Sequence, residues 1–239
     1  DTAWAVAVGQ NGDVTVTGTT DDWTSFPTTP GAFQSTIGQL GSIFVTRLDA
    51  AQGQLVYSSL IGAGADRPLG ISVDSSGRAA VVGWTSLPSF PVTPGAFDTV
   101  KSTNPVVGRS SAVVFRLGPV GTTLEYSTYL DCLLGSEAFG VALLDTGQVI
   151  VGGEAYSDDF PVTPGAFQTV LNGPLGNREG FVTRLDPAGS ALEWSTFLGG
   201  TQDDRIFALA ADSAGTVTVA GQTGSLDFPL TPGAFDTYL

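Results

Sequence analysis

An all-β chain assembled from repeated four-stranded units is what this sequence predicts. Three observations predict it. An eight-residue motif, Phe-Pro-x-Thr-Pro-Gly-Ala-Phe, occurs four times at near-constant spacing, beginning at Phe26, Phe90, Phe160 and Phe228. Between its copies, short β-branched or aromatic runs alternate with turn residues. Helical periodicity is absent, and 32 Gly with 14 Pro in 239 residues punctuate the chain too often for helices of any length.

The first strand of each unit falls at Ala5–Val8, Gly70–Val73, Gly140–Leu143 and Ala208–Ala211. These runs are small and aliphatic on both faces, as suits a strand packed between sheets. A tight turn follows, such as Gln10-Asn11-Gly12-Asp13 or Asp74-Ser75-Ser76-Gly77, whose glycine permits positive φ. The second strand is Val14–Thr17, Ala79–Val82, Val149–Gly152 and Val217–Ala220, and its first copy alternates as Val-Thr-Val-Thr. A long connection carries the Phe-Pro motif. Within it, Thr163–Phe167 fits either a single helical turn capped by Thr or a type II Pro-Gly turn. The third strand is Phe44–Leu48 and its equivalents, with an apolar-Arg-Leu signature around Arg47, Arg116 and Arg184. A glycine turn such as Asp186-Pro187-Ala188-Gly189 leads to the fourth strand, Leu192–Leu198 and its equivalents, marked by Tyr57-Ser58, Tyr126-Ser127 and Trp194-Ser195.

A lone four-stranded sheet cannot bury both of its faces, whereas stacked repeats cover one another. Four-stranded units at a steady period therefore read as a β-propeller built of four-stranded antiparallel blades, about three and a half of them in this chain. A parallel β-helix is the runner-up, disfavoured because the turns favour antiparallel hairpins. The expected organisation is one domain over residues 1–239, whole or part, with units near 1–64, 65–134, 135–202 and an incomplete 203–239. A half-finished unit and an open ring would expose sheet edges and apolar faces, a predicted association site. The chain has no Met, not even at position 1, and reads as a processed product, a recombinant piece or an excised part of something longer.

The unit as a whole resembles a known bacterial repeat. An Asp-Ser-Ser-Gly-type turn is followed by Val-x-Val-x-Gly, then by Phe-Pro-x-Thr-Pro-Gly-Ala-Phe, Phe-Val-x-Arg-Leu and Tyr-Ser-Thr-x-Leu-Gly-Gly. This order is similar to the SBBP (seven-bladed beta-propeller) repeat family, over essentially the whole chain. Gly199-Gly200 ends one unit as that pattern expects, while Ile61-Gly62-Ala63-Gly64 and Asp131-Cys132-Leu133-Leu134 depart from it. The resemblance implies a large secreted or surface-attached bacterial protein. It carries over no catalytic residues.

Composition excludes several functions. Nine basic residues against 23 acidic ones give a net charge of −14, so the overall field does not draw the chain to nucleic acid or anionic membrane. No run approaches a membrane span. The chain has no His to act as base or ligand, and its one Cys, Cys132, permits no intrachain disulfide or thiolate zinc site. Cys132 sits in an apolar run and reads as a buried, inert thiol.

The remaining candidates are few. Carboxylates gather in the long connections, with Asp21, Asp22, Asp158, Asp159, Asp203 and Asp204 as the set that would attract Ca²⁺. No Asp-x-Asp-x-Asp-Gly loop is present, and a solvated acidic rim explains the same residues. Trp23, Trp84 and Tyr156 fall early in the long connections, where exposed rings could stack on sugars or anchor a partner, or could pack over the Phe-Pro motif. Phe26, Phe33, Phe90, Phe97, Phe160, Phe167, Phe228 and Phe235 read as plugs between neighbouring sheets. Arg47, Arg116 and Arg184 read as structural cations, each needing an acidic partner. Asp145-Thr146-Gly147 looks like the aspartic-protease triplet but occupies a hairpin-turn position.

These features lead to a non-enzymatic, secreted or cell-surface bacterial module. It would be structural, adhesive or fibre-forming, working through open blade edges and a loop face. Its partners would be other copies of itself or the rest of a longer chain. The alternative is a carbohydrate-binding module for surface polysaccharide that uses Trp23, Trp84 and Tyr156, with Ca²⁺ assisting. An enzyme with paired carboxylates ranks third.

Overall fold

A computed structural model describes residues 1–22, 25–36, 41–62, 64, 66–102 and 109–236. All regular structure there is β. The first sheet holds β1 (Thr2–Val8), β2 (Val14–Thr20), β3 (Ser42–Asp49) and β4 (Gln54–Ile61). The second holds β5 (Asp66–Val73), β6 (Ala79–Thr85), β7 (Ser111–Leu117) and β8 (Leu124–Leu130). The third holds β9 (Ser136–Leu143), β10 (Val149–Ala155), β11 (Glu179–Leu185) and β12 (Leu192–Leu198). The fourth is two-stranded among the described residues, with β13 (Asp204–Ala211) and β14 (Val217–Thr223). Within each sheet the strands lie in chain order and pair antiparallel.

The predicted strand cores all fall inside observed strands. The first-strand turns are closed by glycines at positive φ, as at Gly77 (86°), whose N–H donates to the Asp74 carbonyl. The motif turn takes its Pro-Gly form: the Ala166 N–H donates to the Thr163 carbonyl at 3.2 Å and Gly165 has φ 79°. A glycine with φ near 80° at the third position defines a type II turn, so the helical alternative falls.

The core lies between consecutive sheets. Alternation along the strands divides the second sheet's side chains between two neighbours. Ala79, Val81, Val113 and Phe115 join Ile43, Val45 and Ile61 of the first sheet. Ala80, Val82, Ala112 and Val114 join Val149, Val151, Phe181 and Leu185 of the third. A smaller cluster of Ile150, Val182 and Ile206 joins the third sheet to the fourth. Double-sided packing leaves every residue of β7 and β10 buried, whereas Val6 and Val8 of β1 are exposed. The leading strand of each new sheet carries the packing: β5 lies against β1, β2 and β3, and β9 against β5, β6 and β7.

The propeller expectation, and with it the SBBP assignment, is overturned. The chain forms discrete small antiparallel sheets in tandem, and among the described residues no ladder hydrogen-bonds one sheet to another. Among the described residues, the main inter-sheet packing joins only neighbours in sequence, and the first sheet does not close onto the last. A function that works through the open blade edges of such a ring falls with it. The physical reason is that a repeat period reports the unit and its nearest-neighbour contact. Closure depends on how each sheet is rotated against the next, which the period does not encode.

Candidate functional site

The recurrent, chemically specific feature of this molecule is an interlock between successive units. Its receiving half is made of an aromatic ring, an arginine side chain and a phenylalanine backbone N–H. Tyr57, Tyr126 and Trp194 come from the fourth strands, and Arg47, Arg116 and Arg184 from the third. Phe33, Phe97 and Phe167 end the motif turns. Its inserted half is the glycine turn between the third and fourth strands of the next unit.

The joint between the second and third units shows the geometry. Gly189 (φ 66°) lies so flat on the Tyr126 ring that a Cβ there would stand 2.3 Å from the ring carbons. Only glycine permits both that φ and that approach. The Phe97 N–H donates to the Gly189 carbonyl at 2.8 Å. Arg116, 6% exposed, donates to the Gly147 carbonyl at 2.6 Å and the Pro187 carbonyl at 2.8 Å, both in the third unit. Its charge is balanced within its own unit by Glu125 at 2.6 Å, and its guanidinium lies 4.9 Å from the Tyr126 ring centroid. Burial pushes the Tyr126 hydroxyl up, and that oxygen has no hydrogen-bond partner.

The joint between the first and second units repeats this arrangement. Gly121 (φ 69°) sits 2.3 Å, by its missing Cβ, from the Tyr57 ring. The Phe33 N–H donates to the Gly121 carbonyl at 3.2 Å, and Arg47 donates to the Pro119 carbonyl at 3.3 Å while pairing with Asp13 at 2.7 Å. Burial raises the Tyr57 hydroxyl to about 12. In the third unit, Arg184 pairs with Glu193 at 2.8 Å and its Nη1 comes within 2.9 Å of where a Gly215 Cβ would be. There Phe167 is 71% exposed and Trp194 is half-buried.

The other motif phenylalanines cap the sheets. Phe26 meets Phe44 at 4.9 Å between ring centroids, Phe90 meets Phe115 at 6.1 Å, and Phe160 meets Phe181 at 4.3 Å. Phe228 is half-buried and Phe235 fully exposed.

Two of the three loop aromatics, Trp84 and Tyr156, are described, and they meet different partners. Trp23 lies outside the described residues. Trp84 is in β6, faced by the Arg67 guanidinium at 5.6 Å from its centroid, and lines a cleft of about 300 Å³ with Thr2, Thr20, Asp66 and Arg67. Tyr156 is buried, its hydroxyl donating to Glu154 Oε1 at 2.6 Å and its ring 4.3 Å from Arg109. Tyr156, being buried, offers no open ring face for stacking on a sugar.

Three of the rim carboxylates accept local hydrogen bonds. Asp159 accepts from the Leu133 N–H at 2.9 Å, and Asp203 accepts from Arg178 Nη1 at 2.7 Å. Asp22 accepts from the Ser25 N–H at 3.1 Å, and Asp21 and Asp158 are exposed. Among the described residues, no group of three or more Asp, Glu, Cys or His converges as a metal site would require. Asp145 accepts from the Ser75 N–H of the preceding unit at 2.9 Å, and that contact holds its carboxyl below the usual range. Cys132 is buried, its thiol pushed up by burial and donating to the Gly135 carbonyl at 2.8 Å.

Sequence reasoning missed two features. Buried Glu179 and Asp204 crowd one backbone point: a Cβ at Gly199 would stand 2.7 Å from Glu179 Oε1 and 2.6 Å from Asp204 Oδ2. Burial, with Asp204 adding repulsion, raises Glu179 to about 7. Glu179 replaces the Ser42 and Ser111 that begin the equivalent strands, and that replacement was the available signal. The second feature is a bulge in β1, β5, β9 and β13, opposite their second strands. It re-aims Trp4, Leu69, Phe139 and Phe207, and Phe139 meets Phe207 edge-on at 5.6 Å.

No family model matches the chain. It is similar to the regulatory protein FlaEY of Caulobacter vibrioides, at 32% identity over 161 residues. The match covers 66% of this chain and 16% of that protein, so the chain spans a small part of the relative's length. Repeated sheets with inter-sheet packing of this kind define a tandem-repeat all-β module, a class consistent with tandem arrangement or self-association.

Proposed function

We propose that this chain is a non-catalytic tandem-repeat scaffold, a stretch of a larger bacterial protein that sets the spacing and stiffness of what it joins. The observation that carries this reading is the interlock, made twice with the same residue types: a glycine turn on a tyrosine ring, an arginine spanning two units and a phenylalanine N–H on the glycine carbonyl. Side chains spent on joining units are what a spacer requires. The resemblance to a small part of a protein named as regulatory fits a module that serves a larger chain. An extracellular setting fits a chain whose sole thiol is buried, because an oxidising compartment then finds no reactive cysteine.

The test is hydrogen exchange on the Arg116→Ala variant. In the parent protein, amides of the second and third sheets should open together, with one free energy. Removing Arg116 deletes two carbonyl contacts across the joint and leaves Glu125 unpaired. The two sheets should then open at distinct free energies. A variant whose sheets still open together would refute the scaffold reading.

A further inference from the structure

Each of the three four-stranded sheets ends on its fourth strand, so β4, β8 and β12 turn one row of N–H and C=O groups away from their sheet. Such a row is a template on which another strand can pair. In this chain the Phe-Pro motif lies on it. The Thr29 N–H donates to the Ser58 carbonyl at 3.1 Å, and the Ser58 N–H donates back to Thr29 Oγ1 at 3.1 Å. Thr93 and Ser127 repeat the two bonds at 3.1 and 3.0 Å, and Thr163 and Ser195 at 3.0 and 3.0 Å. The threonine thus offers a donor and an acceptor as a paired strand residue does, its hydroxyl standing in for a carbonyl. Further along, the Gln34, Asp98 and Gln168 carbonyls accept from the N–H groups of Leu60, Tyr129 and Phe197 at 2.9, 3.0 and 3.1 Å. Ser58, Ser127 and Ser195 are each 0% exposed, although they lie on terminal strands.

We infer that the motif is a strap that shields the outer edge of each sheet from pairing with a second copy of this chain. Strand edges are commonly guarded by charged side chains, lysine above all. Here β4 carries no charged residue, β8 and β12 carry one Glu each, and Lys101 is the only lysine of the chain. Apolar and β-prone edges of that composition pair readily when bare. The strap itself offers no new edge. The residue after each threonine is Pro30, Pro94 or Pro164, which has no N–H to donate, and the type II turn that follows lifts the chain off the strand. None of these bonds belongs to the interlock, and all of them lie within one unit.

The experiment replaces Thr93 in the full chain. Thr93→Val keeps the shape and removes the oxygen that receives the Ser127 N–H. Thr93→Ser keeps that oxygen, and Thr93→Pro removes the N–H as well. Hydrogen exchange and sedimentation velocity are the readouts, with the parent chain as baseline. The Ser127 and Tyr129 amides should exchange at least about tenfold faster in Thr93→Val and at the parent rate in Thr93→Ser. The Ser58 and Leu60 amides, under the first strap, should keep their parent rates in both. Self-association should follow the same order, with Thr93→Ser matching the parent and the mean mass of Thr93→Pro rising at least about twofold. Unchanged exchange at Ser127 in Thr93→Val and Thr93→Pro would overturn the strap. Faster exchange with no added association in either variant would overturn the shield. If Thr93→Pro loses protection at Ser58 and Leu60, it has failed to fold, and Thr93→Val decides by the same two readouts.

Discussion

Replacing the turn glycines by alanine measures the interlock directly, because the chain contains its own control. At Gly189 two costs combine. An L-residue at φ 66° is strained by about 1–2 kcal/mol, and a methyl 2.3 Å from the Tyr126 ring forces a further ~1–3 kcal/mol of repacking. Gly53 closes the equivalent turn of the first unit at φ 64°, and nothing lies within 4 Å of its missing Cβ. Only the first cost applies there. Gly189→Ala should therefore lose about 2–5 kcal/mol and Gly53→Ala about 1–2 kcal/mol, and the difference belongs to the joint. At about 2–4 °C per kcal/mol for this chain length, the melting temperatures of the two variants should differ by roughly 2–12 °C. Denaturant titrations followed by far-ultraviolet circular dichroism give the free energies, and thermal melts check their order. Equal losses at the two positions would show that the Tyr126 contact carries no energy, and the reasoning would fail.

The buried carboxyl of Glu179 makes stability depend on pH. Its ordinary value of 4.5 is raised to about 7 in the folded protein, so folding is favoured below pH ~4.5 and that advantage is lost as pH rises to about 7. The shift corresponds to about 3 kcal/mol. Glu179→Gln should match the parent near pH 4 and exceed it at pH 8 by up to that amount, and equal stability of the two proteins at pH 8 would count against it. Tyr126→Phe removes a buried hydroxyl that has no hydrogen-bond partner and should be neutral or stabilising by up to about 1 kcal/mol. A clear loss in denaturant titration would reveal a contact to that oxygen. Cys132 should resist a thiol reagent in the native protein and react once denaturant opens the core between the second and third sheets. Rapid native labelling would contradict its burial.

Much of the unit was legible in the chain itself. Alternation and β-branching placed the strands, because side chains on a strand change face at every residue and a sheet buried on both faces selects apolar residues at all of them. Glycine marked the turns because positive φ is cheap only there. The need of the recurring arginines for an acidic partner was legible from their position in the repeat, as was the turn at Asp145-Thr146-Gly147, and each arginine is paired. The arrangement of units was not legible. The propeller followed from period and length, and neither specifies the rotation between successive sheets. The environment of a loop aromatic was not legible either. Tyr156 sits one residue beyond β10, and whether such a ring faces water or Glu154 depends on the neighbouring connection.

What the sequence determined by itself is therefore local and periodic: an all-β chain, a four-stranded antiparallel unit, its turns and the residues that recur in it. Tertiary structure alone decided that these sheets follow one another in tandem without closing a ring. It also decided that the tyrosine, arginine and phenylalanine of one unit clasp the glycine turn of the next, and that Glu179 and Asp204 are buried together. Strand pairing and turn geometry act over a few residues and leave a pattern in sequence. The Gly189–Tyr126 and Arg116–Pro187 contacts join residues some sixty to seventy positions apart, and only the stacked sheets bring them within reach.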